Sequence, residues 1–291
     1  MIEGWTDMTI HKEITYFPGC SLATSAKENN QSLNRFCRQF GLDLIELEDW
    51  NCCGSSSAHS INARLAKDLP ARNLFLAPDD RPLLAPCPSC FLRLRHVHLR
   101  LKEDDDMRRS YEKIFGRPFN PDLQIINFFE LLDDMNKGGA FKETIRNLNG
   151  LKFASYYGCM LARPPAMRRE KNFFGLMEHT LSTLGGTPVR WNHSSRCCGT
   201  FLSVSRPYIA TRSVNEIVAN AVLSGAECIV TACAMCHLNL EIRCGLKEKI
   251  PVFHFSEILS LSVGINDHKG WFKRHLVDPG PLLRSKHLIS G

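Results

Sequence analysis

No run of this chain approaches the roughly 18 consecutive apolar residues of a membrane-spanning helix, so any membrane link is expected to come through a partner. Residues 1–13 (MIEGWTDMTIHKE) contain no apolar core segment of a secretory signal, and the expected location is cytoplasmic. A contiguous ferredoxin run, C-x2-C-x2-C-x3-C-P, is missing. So is a G-x-G-x-x-G fingerprint, which argues against flavin or nicotinamide bound by this chain. Basic residues form no stripe interleaved with aromatics, and no zinc-finger, RRM or KH signature is present, so nucleic acid is not an expected partner. The formal net charge of +6 is small and reads only as a bias toward acidic partners or anionic substrates. At about 150 residues per domain, 291 residues allow two domains or one large one. A 44% hydrophobic content suffices for a sizeable core.

What the chain has in excess is cysteine, and the 13 of them are ordered. The first half carries Cys20, Cys52-Cys53, Cys87 and Cys90; the second carries Cys159, Cys197-Cys198, Cys233 and Cys236. As spacings these are C-x31-CC-x33-C-x2-C and C-x37-CC-x34-C-x2-C. The flanks repeat too. Each first cysteine ends an apolar segment and follows a glycine (ITYFPGC, KFASYYGC), and each doublet is followed by glycine, Gly54 and Gly199. Each CxxC follows an apolar run (RPLLAPC, ECIVTAC), and INFFELL near 126–132 matches VFHFSEIL at 252–259. Landmarks recurring in one order indicate an internal duplication. The halves differ mainly by a charged insertion at about 102–120, expected to be a solvated helix or loop.

Strand-like and helix-like segments alternate. Strands are predicted at 14–19, 43–47, 82–86, 152–157, 188–191, 227–231 and 251–255. Helices are predicted at 23–40, 59–77, 90–101, 166–184, 206–224, 234–244 and 256–262. The expected class is α/β: two tandem, pseudo-symmetric cysteine-rich domains (1–150 and 151–263), each a mostly parallel sheet flanked by helices. Residues 264–291 show no period and read as an extended basic tail that packs on the body or docks a partner. In such folds ligands bind outside the C-terminal ends of the strands. Cys20, Cys87, Cys159 and Cys233 fall at such ends, with the doublets in loops after short strands, so the five cysteines of one half are expected in one pocket.

Structural disulfides are disfavoured in a reducing compartment. Zinc prefers four ligands, whereas each half offers five with two adjacent. Iron–sulfur clusters present several metal corners and are held by thiolates, so vicinal cysteines can serve different irons. Five ligands exceed the four of a cubane, which points to an unusual cluster or to a cysteine left for chemistry.

The repeated spacing, with YFPGCSLATSAKE, LEDWNCCGSSSAHS, LPARNLFLAP, APCPSC and WFKRHLVDPGPLL, resembles the cysteine-rich CCG proteins, and two copies with nothing else attached resemble the B subunit of heterodisulfide reductase, over nearly the whole chain. The resemblance implies two non-cubane [4Fe–4S] clusters facing a cavity in which a disulfide is split. Their ligands would be Cys20, Cys52, Cys53, Cys87 and Cys90, then Cys159, Cys197, Cys198, Cys233 and Cys236. It also implies a ferredoxin-like C subunit with cubane clusters and a flavin-containing A subunit as electron partners. The rival readings are a pure electron-transfer subunit of a flavoprotein dehydrogenase complex, and a subunit of a sulfur-oxidising heterodisulfide-reductase-like complex acting on a protein-bound thiol or lipoyl group.

Outside the motifs, Cys37, Cys228 and Cys244 read as packing residues. Gly54 and Gly199 read as cluster-packing positions, since glycine permits close backbone approach. His59, His193 and His237 are candidate proton donors for a reduction that consumes two protons, against the plainer reading of surface or capping histidines. Ser55, Ser56 and Ser57 suit a helix cap, Met160 and Met235 suit packing beside the cysteines, and Arg163, Arg168 and Arg169 suit either a solvated face or an anionic substrate.

Overall fold

The computed structural model describes residues 13–55, 57–141, 147–162, 173–265 and 269–290. The first half forms a four-stranded parallel sheet in the order β2-β1-β3-β4, from β1 (Glu13–Tyr16), β2 (Asp43–Glu46), β3 (Leu83–Leu84) and β4 (Ile125–Ile126). The second half repeats it as β6-β5-β7-β8, from β5 (Lys152–Tyr156), β6 (Thr187–Pro188), β7 (Cys228–Thr231) and β8 (Val252–His254). The central strands are apolar and buried on both faces, as parallel strands covered by helices must be. The expected α/β duplication is thus present in both sheet order and strand direction.

Helices connect the strands. In the first half they are α1 (Gly19–Ala23), α2 (Lys27–Gln39), α3 (Ala58–Ile61), α4 (Leu65–Leu76), α5 (Pro88–Glu103), α6 (Asp105–Phe115) and α7 (Phe128–Lys137). In the second half they are α8 (Gly158–Ala162), α9 (Leu176–Thr183), α10 (Pro207–Leu223), α11 (Ala234–Arg243) and α12 (Phe255–Ser262). The helix expected at 59–77 is broken in two because the Asn62 Oδ1 accepts the Arg64 and Leu65 N–H groups, starting a new helix. The charged insertion forms α6, capped by Asp104 and anchored by buried Tyr111, whose hydroxyl donates to Asp68 at 2.5 Å.

Residues 264–291 depart from the expected extended tail. Within its described part lie α13 (Lys269–Phe272) and α14 (Gly280–Ser285), and Trp271, Leu283 and Leu288 are buried in the body. These widely spaced apolar residues bury one at a time, which is why no period shows in the sequence.

The two halves share one core. Phe36, Phe128 and Phe129 pack in the same cluster as Phe153, Tyr157 and Phe255. The Phe129 and Phe255 rings lie 4.9 Å apart. Between α2 and α12 runs a polar seam: Ser32 Oγ to Ser256 Oγ at 2.7 Å, Ser256 Oγ donating to the Asn29 carbonyl at 3.2 Å, and Ser260 Oγ donating to the Ser32 carbonyl at 2.9 Å. Small hydroxyls let these helices approach closely while every donor finds an acceptor.

Candidate functional site

The strand order reverses between β1 and β3, and between β5 and β7. At such a point helices leave to opposite faces and open a crevice beyond the strand ends. Cys20 follows β1 and Cys87 follows β3 as N-cap of α5, with Cys90 in its first turn. Cys159 follows β5, and Cys233 is N-cap of α11, with Cys236 in its first turn. Helix N-termini carry partial positive charge that favours thiolates there. The doublets hang in the loops after β2 and β6.

Two buried carboxamides absent from the sequence reading hold these loops. Asn73 accepts the Asn51 N–H at 2.9 Å and donates to the Asn51 carbonyl at 2.9 Å, beside Cys52. Asn239 donates to the Cys198 carbonyl at 2.7 Å and is held by Ser203 Oγ at 2.7 Å. An asparagine within a helix is their only signal in the sequence, and it says neither that the side chain is buried nor what it grips.

Glycine shapes both walls. Gly54 and Gly199 take φ values of 74° and 78°, and their N–H groups point at Cys52 Sγ (3.5 Å) and Cys197 Sγ (3.4 Å). Gly19 and Gly158, before the first cysteine of each motif, both take φ 67°. A Cβ on Gly19 would lie 2.8 Å from Cys90 Sγ, and one on Gly158 would lie 3.4 Å from Cys236 Sγ. Gly19 needs glycine for both conformation and space, and Gly158 for conformation.

All ten motif cysteines line a single cavity of about 210 Å³. The spacing predicts that the five cysteines of each half converge, and the resemblance that the two sets face one cavity; the ten cysteines do line one cavity. Cys20 lies 3.8 Å from Cys52, Cys53 lies 3.2 Å from Cys90, and Cys198 lies 3.5 Å from Cys236, sulfur to sulfur. Cys20 and Cys197 are exposed and Cys52 and Cys159 half-buried, while the six others are buried, so both sets grade from mouth to floor alike. Hydroxyls of Ser21, Ser55, Ser89 and Thr200 and the apolar side chains of Met160, Phe201 and Met235 complete the lining.

Crowding sets the protonation. Hydrogen bonds from Cys20 and Cys53 hold the Cys52 thiol down to about 2, and the donors rise in turn, Cys53 to about 12. A hydrogen bond from Cys236 lowers Cys198 to about 6. A hydrogen bond from Cys233, across the two halves, lowers Cys87 well below the ordinary thiol range. Thiols packed this closely cannot all ionise by themselves, whereas metal ligation deprotonates them outright. The donor set therefore fits a thiolate-bound metal group in each half.

The other candidates are scattered. Cys37 and Cys228 are buried in the core, where burial pushes Cys37 up to about 12 and Cys228 higher; Cys244 is also buried. His59 is exposed, its ring 6.5 Å from Phe201 on the cavity wall. His193 lines a second pocket of about 620 Å³ that shares Cys159, Met160, Cys197 and Phe201 with the cavity. His237 lies elsewhere: it is 2% exposed, behind Cys236, with Nδ1 3.1 Å from the Asn29 amide nitrogen, and it does not line the cavity. Ser55 Oγ is buried and lines the cavity rather than capping a helix. Ser57 is the N-cap residue of α3 but makes no side-chain cap bond. Ser56 and Arg163, Arg168 and Arg169 lie outside the described residues.

The model of the cysteine-rich CCG domain matches twice, at residues 14–95 and 153–241. Over 92% of its length the chain is 27% identical to the 8-methylmenaquinol:fumarate reductase membrane anchor subunit of Wolinella succinogenes, covering 98% of that protein. Over 87% of its length it is 25% identical to the ferredoxin:CoB-CoM heterodisulfide reductase B subunit of Methanosarcina mazei, covering 90% of it. It is 26% identical to lactate utilization protein A of Bacillus subtilis, with 85% of this chain and 99% of that protein covered. A crystal structure of a hypothetical protein from Helicobacter pylori shares the fold, with a TM-score of 0.74 at 13% identity over 92% of this chain; this chain spans about half (52%) of that one. Among the described residues no helix is long and apolar enough to cross a membrane. With both matches spanning the two cysteine motifs, the chain belongs to the cysteine-rich CCG domain family, of which it carries two copies in tandem.

Proposed function

We propose that each set of five cysteines holds an iron–sulfur cluster of non-cubane [4Fe–4S] type, and that the chain carries out thiol–disulfide redox chemistry in the cavity between them as the B-like subunit of a complex. The observation that carries this reading is the convergence of ten cysteines from two duplicated halves on one cavity. Bound clusters would supply one-electron redox equivalents and iron with affinity for sulfur. Reduction of RSSR′ takes two electrons and two protons and yields RSH and R′SH, so a pair of one-electron sites facing each other suits the stoichiometry.

The chain's own residues do the rest. Cys20, Cys52, Cys53, Cys87 and Cys90 on one side, and Cys159, Cys197, Cys198, Cys233 and Cys236 on the other, are the ligands. The Gly54 and Gly199 N–H groups donate toward ligand sulfurs and favour their reduced, more negative state. Met160, Met235 and Phe201 give the cavity an apolar lining. His193, with a buried and unpartnered Nδ1 beside the second pocket, is placed to hold a proton at the mouth; His59 is exposed to do the same from the other side. His237 faces away and has no such role. The absence of a ferredoxin run and a dinucleotide fingerprint supports electron supply by another polypeptide, a ferredoxin-like subunit fed by a flavin subunit.

A second reading, an electron-transfer subunit whose partner does the organic chemistry, is favoured by the likeness to the fumarate reductase subunit over 92% of this chain. Iron and acid-labile sulfide of anaerobically purified protein, with EPR and Mössbauer spectra after thiol treatment, test the centre: about eight irons and eight sulfides per chain are expected for two four-iron clusters. Zinc on the cysteines without iron sinks both readings. Reduced protein that then releases thiols from a disulfide supports the first reading; one that stays reduced supports the second.

A further inference from the structure

The duplication supplies an internal control away from the cavity. In the first half, Glu130 sits at the third position of α7 in a capping box with Asn127, and Arg95 on α5 approaches it at 3.8 Å. In the second half, Glu257 occupies the same place in a capping box with His254. Counting from the CxxC pairs, Arg95 is eight residues after Cys87, and the residue eight after Cys233 is Glu241. Phe91, four after Cys87, becomes His237, four after Cys233. Where the first half has an arginine and a phenylalanine, the second thus has a carboxylate and an imidazole, and the C-terminal segment brings in a second imidazole, His275.

These four side chains meet in the interior, at 4% exposure or less. His275 Nε2 lies 3.0 Å from Glu257 Oε1, and His275 Nδ1 lies 3.3 Å from Glu241 Oε1. His237 Nε2 lies 3.9 Å from Glu241 Oε2. One ligand atom each of His237, Glu257 and His275 fall within 4.8 Å of one another. Glu241 Oε1 and His275 Nδ1 face each other in the 3.3 Å contact, whereas His237 Nε2 is buried without a hydrogen-bond partner. Without a metal, the His275 imidazolium between Glu241 and Glu257 is the counter-ion of the two carboxylates, but His237 Nε2, buried without a partner beside them, calls for an explanation such as an ion.

We propose that His237, Glu257 and His275, with Glu241 beside them, form a buried zinc site that fastens the C-terminal segment to the second half. The donor chemistry suits zinc: two imidazoles and carboxylate oxygen, closed off from solvent as structural zinc sites are. Outer partners exist as well. Glu257 Oε2 accepts the His254 N–H at 2.8 Å, and Glu241 Oε2 accepts the Leu276 N–H at 3.1 Å. Zinc bonds of about 2.0–2.2 Å require the ligand atoms to draw inward from this spacing. The site joins α11, α12 and the segment after α13, and His237 follows Cys236 directly, so the clamp also stiffens the wall that carries that cysteine.

The test is a zinc-edge X-ray absorption measurement on anaerobically purified full-length protein incubated with one equivalent of zinc, with iron counted in the same samples. The expected result is one zinc per chain with nitrogen and oxygen neighbours at about 2.0–2.1 Å and none at the 2.3 Å of sulfur. His275→Ala is expected to lose at least ten-fold in zinc affinity while iron per chain is unchanged, and tryptic cleavage after exposed Lys273 and Arg274 is expected to accelerate. Failure of zinc to bind the wild-type protein, or a shell containing sulfur, overturns the proposal without touching the reading of the cysteines, which rests on iron. The wild-type spectrum decides the matter even if the variant does not fold.

Discussion

Gly19 shows how one missing methyl group builds the site. At φ 67° an L-residue is strained by about 1–2 kcal/mol, and its Cβ would stand 2.8 Å from Cys90 Sγ. Gly19→Ala is therefore expected to displace Cys90 and cut iron per chain toward half, as read by iron analysis of the purified variant. Gly158→Ala meets Cys236 Sγ only at 3.4 Å and should keep more of its iron. Gly41→Ala, at φ 71° with no atom within 4 Å of the added carbon, serves as control: it bears the backbone strain alone and should keep all its iron. Equal iron loss in all three would mean that strain, and not the space beside the sulfur, accounts for the glycines. The ten cysteines and the glycine before each motif were legible in the sequence because the duplication repeats them. Asn73 and Asn239 were not, because a carboxamide in a helix reads alike whether it faces water or grips a loop.

Elements built to one plan still differ in the residue that starts them. Asn127 begins α7 and His254 begins α12, each paired with the glutamate three residues on. Asparagine cannot titrate; the imidazole can. Burial pushes His254 down to about 4 against the opposing influence of Cys87. Its folded value thus lies below the usual value of about 6.5, so the neutral ring stabilises the fold fully above pH ~6.5. That contribution falls away as pH drops from ~6.5 to ~4, by about 3 kcal/mol in all. His254→Asn installs the residue the first half uses and should flatten the fall in unfolding free energy between pH 7 and 4.5, measured by denaturant titration beside the wild type. Parallel slopes for the two proteins would show that His254 is not the titrating group. Element type and order were readable from apolar periodicity, and the parallel sheets followed from strand–helix alternation. Boundaries slipped where one side chain decides them, as at Asn62, where a cap splits a continuous apolar pattern into α3 and α4.

Across the whole molecule the tandem copies behave as one body. The repeated spacing announces two similar halves, and the resemblance that their cysteines face one cavity, but neither names the residues through which the halves meet. The structure places α2 of the first half on α12 of the second through Ser32, Ser256 and Ser260, and merges both aromatic sets into one cluster. A cavity whose two walls come from different halves needs such a joint, since cysteines on opposite walls hold their spacing only while the halves stay docked. Phe129 belongs to the first half, is 1% exposed, and stacks on Phe255 of the second. Truncating a buried phenylalanine costs about 3–5 kcal/mol. If the halves were independent, Phe129→Ala would weaken the first sheet and spare the second, giving two transitions. With a shared core the whole cost falls on one cooperative unit, and a single transition moves to lower denaturant with its slope unchanged. Hydrogen exchange read at β1 and β5 separates the cases: amides of both strands should lose protection by the same free energy in the variant. Loss confined to β1 would show that the duplicated halves are stable apart.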